Sequence, residues 1–220
     1  MAVALVLVDV DGTLLRVAHS EPRFAAHLVG RGCVGPRQLL AYAGFALRGW
    51  RRYGWELLRK NKAYLCGLRA EHVARLGERF VAEHLFRHIR SELVERLRAH
   101  AERGDRLVLL TGTPDFLAWP LARRVGVPRV VATVCATDGS GRYSAAAPRV
   151  HPYGEEKRVL AERLCAAHGT TLAECVAYAN SASDLPLLKA VGTPVAVAPD
   201  TGLTAAARRS GWRVIEGRAP

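Results

Sequence analysis

A short apolar run, Val3–Val8, lies near the start of the chain and ends at Asp9. Its apolar side chains do not alternate with polar ones, which is typical of a strand covered on both faces. Strands of this kind belong to parallel sheets that lie between two layers of helices. The run is too short to span a membrane and lacks the basic start of a signal peptide, so we expect a cytoplasmic protein.

Further strands and helices are predicted to alternate along the chain. The predicted strands are Arg106–Thr111, Arg129–Val134, Cys175–Ala179, Pro194–Ala198 and Trp212–Glu216. The predicted helices are Asp115–Val125, Glu155–His168 and Asp184–Ala190. This alternation predicts a three-layer α/β fold, with a Rossmann-like parallel sheet as its core.

The first two strands are separated by about 95 residues, whereas a crossover between parallel strands needs only about a dozen. The intervening segment is rich in helix formers, and its apolar residues recur at helical spacing. We therefore predict a helical cap at 16–99, inserted after the first strand of a core formed by 1–15 and 100–220. The cap would cover the carboxyl ends of the strands, where open α/β sheets bind ligands.

The charge balance is strongly basic, with 32 Lys and Arg against 20 Asp and Glu, a net charge of +12. This field favours an anionic substrate. The arginines are spread along the chain, so nucleic acid or an anionic surface is a less favoured partner. The five cysteines are odd in number and show no metal-ligand spacing, which argues against a disulfide framework or a zinc site.

Two carboxylates, Asp9 and Asp11, follow the first strand directly, and Gly12 allows the backbone to turn sharply there. If the turn folds back, both side chains can approach one site. One carboxylate could then act as a nucleophile while the other carries a proton. Taken alone, the segment Asp9-Val10-Asp11-Gly12-Thr13 could also be a polar turn at the end of a strand.

Four segments in order combine into a larger pattern. They are Asp9-Val10-Asp11-Gly12-Thr13, Thr111 after Leu107-Val108-Leu109-Leu110, Lys157 within Tyr153-Gly154-Glu155-Glu156-Lys157, and Asn180-Ser181-Ala182-Ser183-Asp184. Together they resemble the four motifs of the haloacid dehalogenase-like superfamily of phosphohydrolases, over nearly the whole chain. Because the cap lies between the first two motifs, the chain is most similar to the phosphoserine phosphatase-like branch, subfamily IB.

This resemblance implies a Mg²⁺-dependent phosphatase that hydrolyses a small phosphorylated metabolite. Asp9 would attack phosphorus and form an aspartyl-phosphate. Asp11 would protonate the leaving alcohol and then deprotonate the attacking water. Transfer of the phosphoryl group to an acceptor other than water is also open.

The resemblance further implies the groups that bind phosphate and metal. The phosphate ligands would be Thr111, Gly112 and Lys157. The Mg²⁺ ligands would be Asp9, Asp11 through its backbone carbonyl, Asn180 and Asp184.

Asn180 departs from the family pattern, because an Asp usually opens the fourth motif. Asparagine retains an oxygen donor but loses a full negative charge, so weaker Mg²⁺ binding is expected. Three interpretations remain: a working site with weaker Mg²⁺ binding, a preference for another cation or a substrate that brings its own ligand, and a catalytically weak phosphate-ligand binder or regulator.

Arginine and tryptophan alternate in the cap segment around Arg51, Arg52 and Arg59, which are the candidate substrate-specificity residues. These side chains could stack on a base, hold an acidic group or lie at a membrane surface, or they could form an ordinary amphipathic helix. Phosphoserine itself is not favoured as the substrate. Ala18 stands where the phosphoserine-specific enzymes carry a Glu, and Glu21 is a shifted substitute.

Overall fold

The computed structural model of the protein describes residues 4–216, and these contain six parallel strands in one sheet. The strands are β1 Leu5–Val8, β2 Arg106–Pro114, β3 Arg129–Thr133, β4 Val176–Ala179, β5 Thr193–Val197 and β6 Arg213–Ile215. Their spatial order is β3-β2-β1-β4-β5-β6. The predicted Rossmann-like parallel sheet is confirmed, while Val3, the predicted start of the first strand, lies outside the described residues.

Helices lie on both sides of this sheet and in the long connection between β1 and β2. In that connection are α1 Ser20–Gly30, α2 Pro36–Tyr53, α3 Leu57–Lys60, α4 Ala70–Phe80 and α5 Ser91–Glu102. The later helices are α6 Asp115–Val125, α7 Glu155–Ala167, α8 Leu185–Leu188 and α9 Thr201–Ser210. Among the described residues, no helix combines the length and the apolar character that crossing a membrane requires.

The strand β1 is buried along its whole length because alternate side chains enter two different cores. Val6 and Val8 pack in the core that includes residues of α1, α4, α5 and α6. Leu5 and Leu7 pack on the opposite face with residues of α7, α8 and α9. This double burial explains the uninterrupted apolar run in the sequence.

The segment between β1 and β2 leaves and re-enters the sheet region through two adjacent connections. Leu15 forms an antiparallel bridge with Ile89, and the amide of Arg16 donates to the carbonyl of His88 at 2.8 Å. Beyond this pairing, α5 packs against the sheet through Leu93 and Leu97, which share the core of Val6 and Val8. The two connections therefore lie side by side at the carboxyl end of β1.

Among the differences between the structure and the sequence prediction, two concern β2 and α9. β2 continues past Thr111 to Pro114, with an irregular register between Leu110 and Pro114 where it pairs with β3. Helix α9, Thr201–Ser210, was not predicted, although Asp200 stands directly before it as its N-cap.

Candidate active site

The first motif forms a tight turn that directs two carboxylates toward the end of the sheet. The amide of Asp9 still belongs to the sheet and donates to the carbonyl of Tyr178 in β4 at 3.0 Å. Gly12 has a φ of 77°, in the left-handed region that favours glycine. A Cβ at this position would lie 2.1 Å from Nδ2 of Asn180, so glycine also allows the first and fourth motifs to touch.

Lys157, from the start of α7, joins the nucleophile candidate Asp9 to the fourth motif. Its Nζ donates to Oδ1 of Asp9 and to Oδ1 of Asp184, both at 2.8 Å. All three side chains are buried. Burial lowers the pKa of Lys157, but attraction by Asp184 and Asp9 outweighs it and the pKa is raised. The lysine is therefore a fixed positive charge between two carboxylates.

Thr13 links Asp9 to Asn180. Its hydroxyl lies 3.1 Å from Oδ2 of Asp9 and 3.3 Å from Oδ1 of Asn180. A hydroxyl has one proton to donate, so it can satisfy only one of these two oxygens at a time. One of the two oxygens, on Asp9 or on Asn180, therefore lacks the proton of Thr13 at any time.

Asp11 lies in a less polar environment than its neighbour Asp9. Its Oδ2 accepts the amide of Ser20 at 3.1 Å, whereas its Oδ1 is buried without a hydrogen-bond partner. Burial, with a smaller contribution from repulsion by Asp9, raises the pKa of Asp11 to about 7. A carboxyl group with this pKa can both donate and accept a proton near neutral pH.

A single cavity of about 860 Å³ brings these groups together with the end of β2. The predicted site residues that line this cavity are Asp9, Asp11, Thr111, Gly112, Lys157, Asn180 and Asp184. Thr111 is buried, and its hydroxyl lies 3.1 Å from the hydroxyl of Thr113. Four motifs that are distant in the sequence therefore meet in one place.

The three candidate specificity arginines are separated by the structure. Arg59 lines the cavity, and its guanidinium lies 4.4 Å from the ring centroid of Tyr153. Arg51 and Arg52 are exposed and do not line it. Both lie near the end of α2 and are exposed to solvent. The guanidinium of Arg52 lies 5.4 Å from the ring centroid of Tyr53. The structure thus brings only Arg59 to the site.

Comparison with known proteins decides the family. The sequence profile of the haloacid dehalogenase-like hydrolases matches residues 6–189. The chain belongs to this family.

Two curated relatives match this hydrolase over 96% of its length. Phosphoserine phosphatase SerB1 of Mycobacterium tuberculosis is 31% identical, with 70% of that protein covered. Histidinol-phosphatase of Neisseria meningitidis is 27% identical, with 97% covered. A crystal structure of a Bordetella pertussis protein of unknown function has a TM-score of 0.82 and 28% identity, covering 98% of this chain and 99% of that one. The predicted phosphoserine phosphatase-like resemblance is confirmed.

The donor set of this hydrolase suits a hard cation. Within residues 4–216, no three His, Cys, Asp or Glu side chains are grouped to hold a metal ion by themselves. A cation would therefore depend on Asp9 and on the neutral amide oxygen of Asn180, together with a backbone carbonyl. These are oxygen donors, which Mg²⁺ prefers, and Thr13 can satisfy only one of the two side-chain oxygens at a time.

From the sequence, Glu21 was named only as a shifted substitute for a substrate-binding Glu, and Asp200 was not named. Glu21 lines the cavity, but its carboxylate is already held by Lys62 and by the hydroxyl of Tyr64, the latter at 3.0 Å. Asp200 caps α9 through the amide of Leu203 and also accepts the amide of Ala182 in the fourth motif, at 2.9 Å. Asp200 also had a usable signal, since Asp directly before a helix is a common N-cap.

His151 lines the cavity of the hydrolase in a fixed tautomer. The hydroxyl of Thr133 donates to the carbonyl of Gly112 at 2.6 Å, so Nδ1 of His151 must donate to Thr133, at 3.0 Å. Its Nε2 is buried without a partner. Burial, reinforced by Lys62, Lys60 and Arg59, lowers the pKa of His151 to about 4.

This histidine is expected to make the protein less stable in acid. The unfolded chain binds a proton near pH 6.5 but the folded one only near pH 4, so stability is present above pH 6.5 and is lost as the pH falls. Between pH 7 and 5 the loss is about 2 kcal/mol. Urea unfolding of wild type and His151→Gln at both pH values measures it, and contributions from Asp11 cancel in the comparison. Equal pH dependence of the two proteins would contradict the assignment.

Proposed function

We propose that this hydrolase is a Mg²⁺-dependent phosphomonoesterase that acts through an aspartyl-phosphate on Asp9. The observation that carries the proposal is the contact of Lys157 with both Asp9 and Asp184, at 2.8 Å each, inside the cavity that also holds Asp11 and Thr111. A carboxylate nucleophile beside a fixed cation suits attack on an anionic phosphate ester. The similarity to a phosphoserine phosphatase and to a histidinol-phosphatase supports the same class.

In the first half of the proposed reaction, a carboxylate oxygen of Asp9 bonds to phosphorus and the ester oxygen leaves. Lys157 offsets the negative charge that gathers around the phosphoryl group, and Thr111 with the backbone of Gly112 binds its oxygens. Asp11, whose pKa is raised to about 7 by burial, gives its proton to the leaving alcohol. An alcohol is then released as a neutral product.

In the second half, water attacks the phosphorus of the aspartyl-phosphate. Asp11 now lacks its proton and accepts one from this water. The bond between phosphorus and the Asp9 oxygen breaks, which restores the carboxylate and releases inorganic phosphate. Asp11 thus alternates between acid and base, as its raised pKa permits.

The proposed cation ligands are Asp9, the backbone carbonyl of Asp11 and Asn180, with Asp184 nearby. Bound Mg²⁺ would neutralise charge on the phosphate and orient it for in-line attack. Because Lys157 occupies one oxygen of Asp184, we assign Asp184 chiefly to holding the lysine and to contacts with metal-bound water.

We also propose that the segment at 16–99 acts as a cap, with α5 as its return to the sheet. Residues of α1, α2 and α3 line the cavity opposite the catalytic carboxylates, and among the three candidate arginines we retain Arg59 as the specificity residue. Glu21 is held by Lys62 and Tyr64, so it is not a free carboxylate for a substrate amine. This agrees with a substrate other than phosphoserine.

Hydrolysis of p-nitrophenyl phosphate tests the proposed function. Purified protein should release nitrophenol in the presence of Mg²⁺ and lose that activity when the metal is chelated. Absence of hydrolysis at any Mg²⁺ concentration, across a panel of soluble phosphomonoesters, would show that the proposal is wrong and would favour a phosphate-ligand binder.

Asn180→Asp should strengthen Mg²⁺ binding by roughly tenfold or more, because it restores a negative charge next to Asp9 and tenfold corresponds to only about 1.4 kcal/mol. The measurement is the Mg²⁺ concentration that gives half-maximal hydrolysis. Ser183→Asp, in the same loop, is the control for charge alone. An unchanged Mg²⁺ requirement would mean that Asn180 does not ligate the cation.

A further inference from the structure

Large apolar side chains are exposed mainly on the three helices that contribute to the cavity lining. Among the described residues, six of the nine exposed large apolar side chains lie on α1, α2 and α3: Val29, Leu39, Leu40, Leu47, Trp50 and Leu58. Concentrated exposure of this kind marks an interaction surface more often than scattered single residues do.

Helix α2 carries two apolar faces. The inward face is held by Phe45, which packs with Leu57 and Ala63. On the outward face, Leu40, Ala43, Leu47 and Trp50 follow each other at spacings of three and four residues, so they lie along one side of the helix. The three large ones are between 63% and 84% exposed. We call this outward row, which consists of Leu40, Ala43, Leu47 and Trp50, the outer stripe.

Arginines lie along one edge of the outer stripe. Arg37, Arg48 and Arg51 are exposed and are spaced by eleven and three residues, which places them on one flank of α2. Among the described residues, none of the three has an ion pair with a carboxylate. An apolar row edged by arginine is the pattern of a helix that lies flat in a lipid interface.

The outer stripe is continuous with the cavity. Leu39 precedes it by one residue, is exposed, and lines the cavity. Val29 and Leu58 are likewise exposed and line the cavity. Pro22, Ala25 and Val34 add further apolar lining to the same cavity. An apolar path therefore runs from the outer stripe toward the catalytic carboxylates.

We propose that the outer stripe seats the protein on an anionic lipid surface and that the cavity takes an amphiphilic phosphomonoester presented there. The substrate half of this statement rests on the proposed function. The phosphate would lie between Lys157 and Thr111, and the hydrocarbon part would lie along Val29, Leu39 and Leu58. The arginine flank would contact lipid headgroups.

Charge favours a lipid surface over a second copy of the chain. The protein has a net charge of +12, and a second copy would bring the same arginines toward Arg37, Arg48 and Arg51. An anionic headgroup layer attracts all three arginines and accepts the apolar row at the same time.

Flotation with lipid vesicles tests the surface. The protein should bind vesicles that contain two-thirds phosphatidylcholine and one-third phosphatidylglycerol at least tenfold more tightly than vesicles of phosphatidylcholine alone. Added salt should weaken this binding. The double variant Leu47→Ser with Trp50→Ser should lose at least tenfold in binding and retain hydrolysis of p-nitrophenyl phosphate. Trp119→Ser, which changes an exposed tryptophan on α6, is the matched control and should bind like wild type.

Two alkyl phosphates test the substrate class. With dodecyl phosphate below its micelle concentration, kcat/KM should be at least tenfold higher than with ethyl phosphate. Equal values would overturn the assignment of an amphiphilic substrate. The proposal of a lipid-binding surface would be wrong if wild type did not bind vesicles, or if the double variant bound them as well as wild type does. It would also be wrong if wild type were a dimer in sedimentation equilibrium and the double variant a monomer. Failure of p-nitrophenyl phosphate hydrolysis would instead refute the proposed function.

Discussion

Asp9→Asn is expected to lower kcat by at least roughly 10⁴-fold, which is the scale of removing a nucleophile from a catalytic group that acts as a unit. Asparagine has nearly the same shape as aspartate, but its neutral amide cannot attack phosphorus to form the acyl phosphate. Its remaining oxygen can still accept the hydrogen bond from Lys157, and its NH₂ group, in the place of Oδ2, can donate to the hydroxyl oxygen of Thr13. The fold should therefore persist while the chemistry stops.

The measurement is Mg²⁺-dependent release of nitrophenol by wild type and variant, with thermal unfolding as the test of folding. Asp138→Asn, at an exposed loop position outside the cavity, provides the matched control and should keep full activity. Residual activity of Asp9→Asn within tenfold of wild type, with the fold intact, would exclude Asp9 as the nucleophile.

Lys157→Met should damage both catalysis and stability. Methionine fills similar space without the charge, so it leaves the buried carboxylates of Asp9 and Asp184 close together with no cation between them. Loss of one partner from a buried ionic group costs about 3–5 kcal/mol. We expect a decrease of that size in the free energy of unfolding at pH 7.5, together with loss of phosphatase activity.

The pH dependence of the stability of Lys157→Met shows whether lost charge or lost packing destabilises the variant. Burial already raises the pKa of Asp184, and Lys157 partly offsets that rise. Without the lysine, Asp184 should bind a proton more readily in the folded state than in the unfolded chain. The free energy of unfolding of the variant should therefore approach that of wild type as the pH falls from 7.5 to 5.5. Lys189→Met, which removes an exposed lysine, should change stability little at either pH. A variant that stays equally destabilised at both pH values would point to lost packing instead of lost charge.

The fold was predictable wherever the hydrophobic pattern is local. Val6 and Val8 face one core while Leu5 and Leu7 face the other, so the run in β1 signalled a buried parallel strand. The helix Asp115–Val125 was predicted with the bounds that the structure has. Helix α9 is short, with ten residues, and its start signal, the N-cap Asp200, was not used in the prediction.

The candidate site was predictable only through the order of its motifs. Asp9, Lys157 and Asp184 each stand at a strand or helix end, and the sheet order brings those ends together. The contacts of Glu21 with Lys62 and Tyr64 were not predictable, because they depend on how α1 packs against a segment some forty residues later. Similarly, the exposure of Arg51 and Arg52 follows from the rotation of α2, which the alternating sequence did not specify.

The pairing of Val8 with Tyr178 places Asp9 next to the loop that carries Asn180 and Asp184. One strand of this pair lies near the start of the chain and the other belongs to its last quarter. A nascent chain on the ribosome therefore cannot assemble the carboxylate–lysine cluster until β4 has emerged. Until then the polypeptide carries the nucleophile but cannot use it, so catalytic competence has to wait for the synthesis of β4.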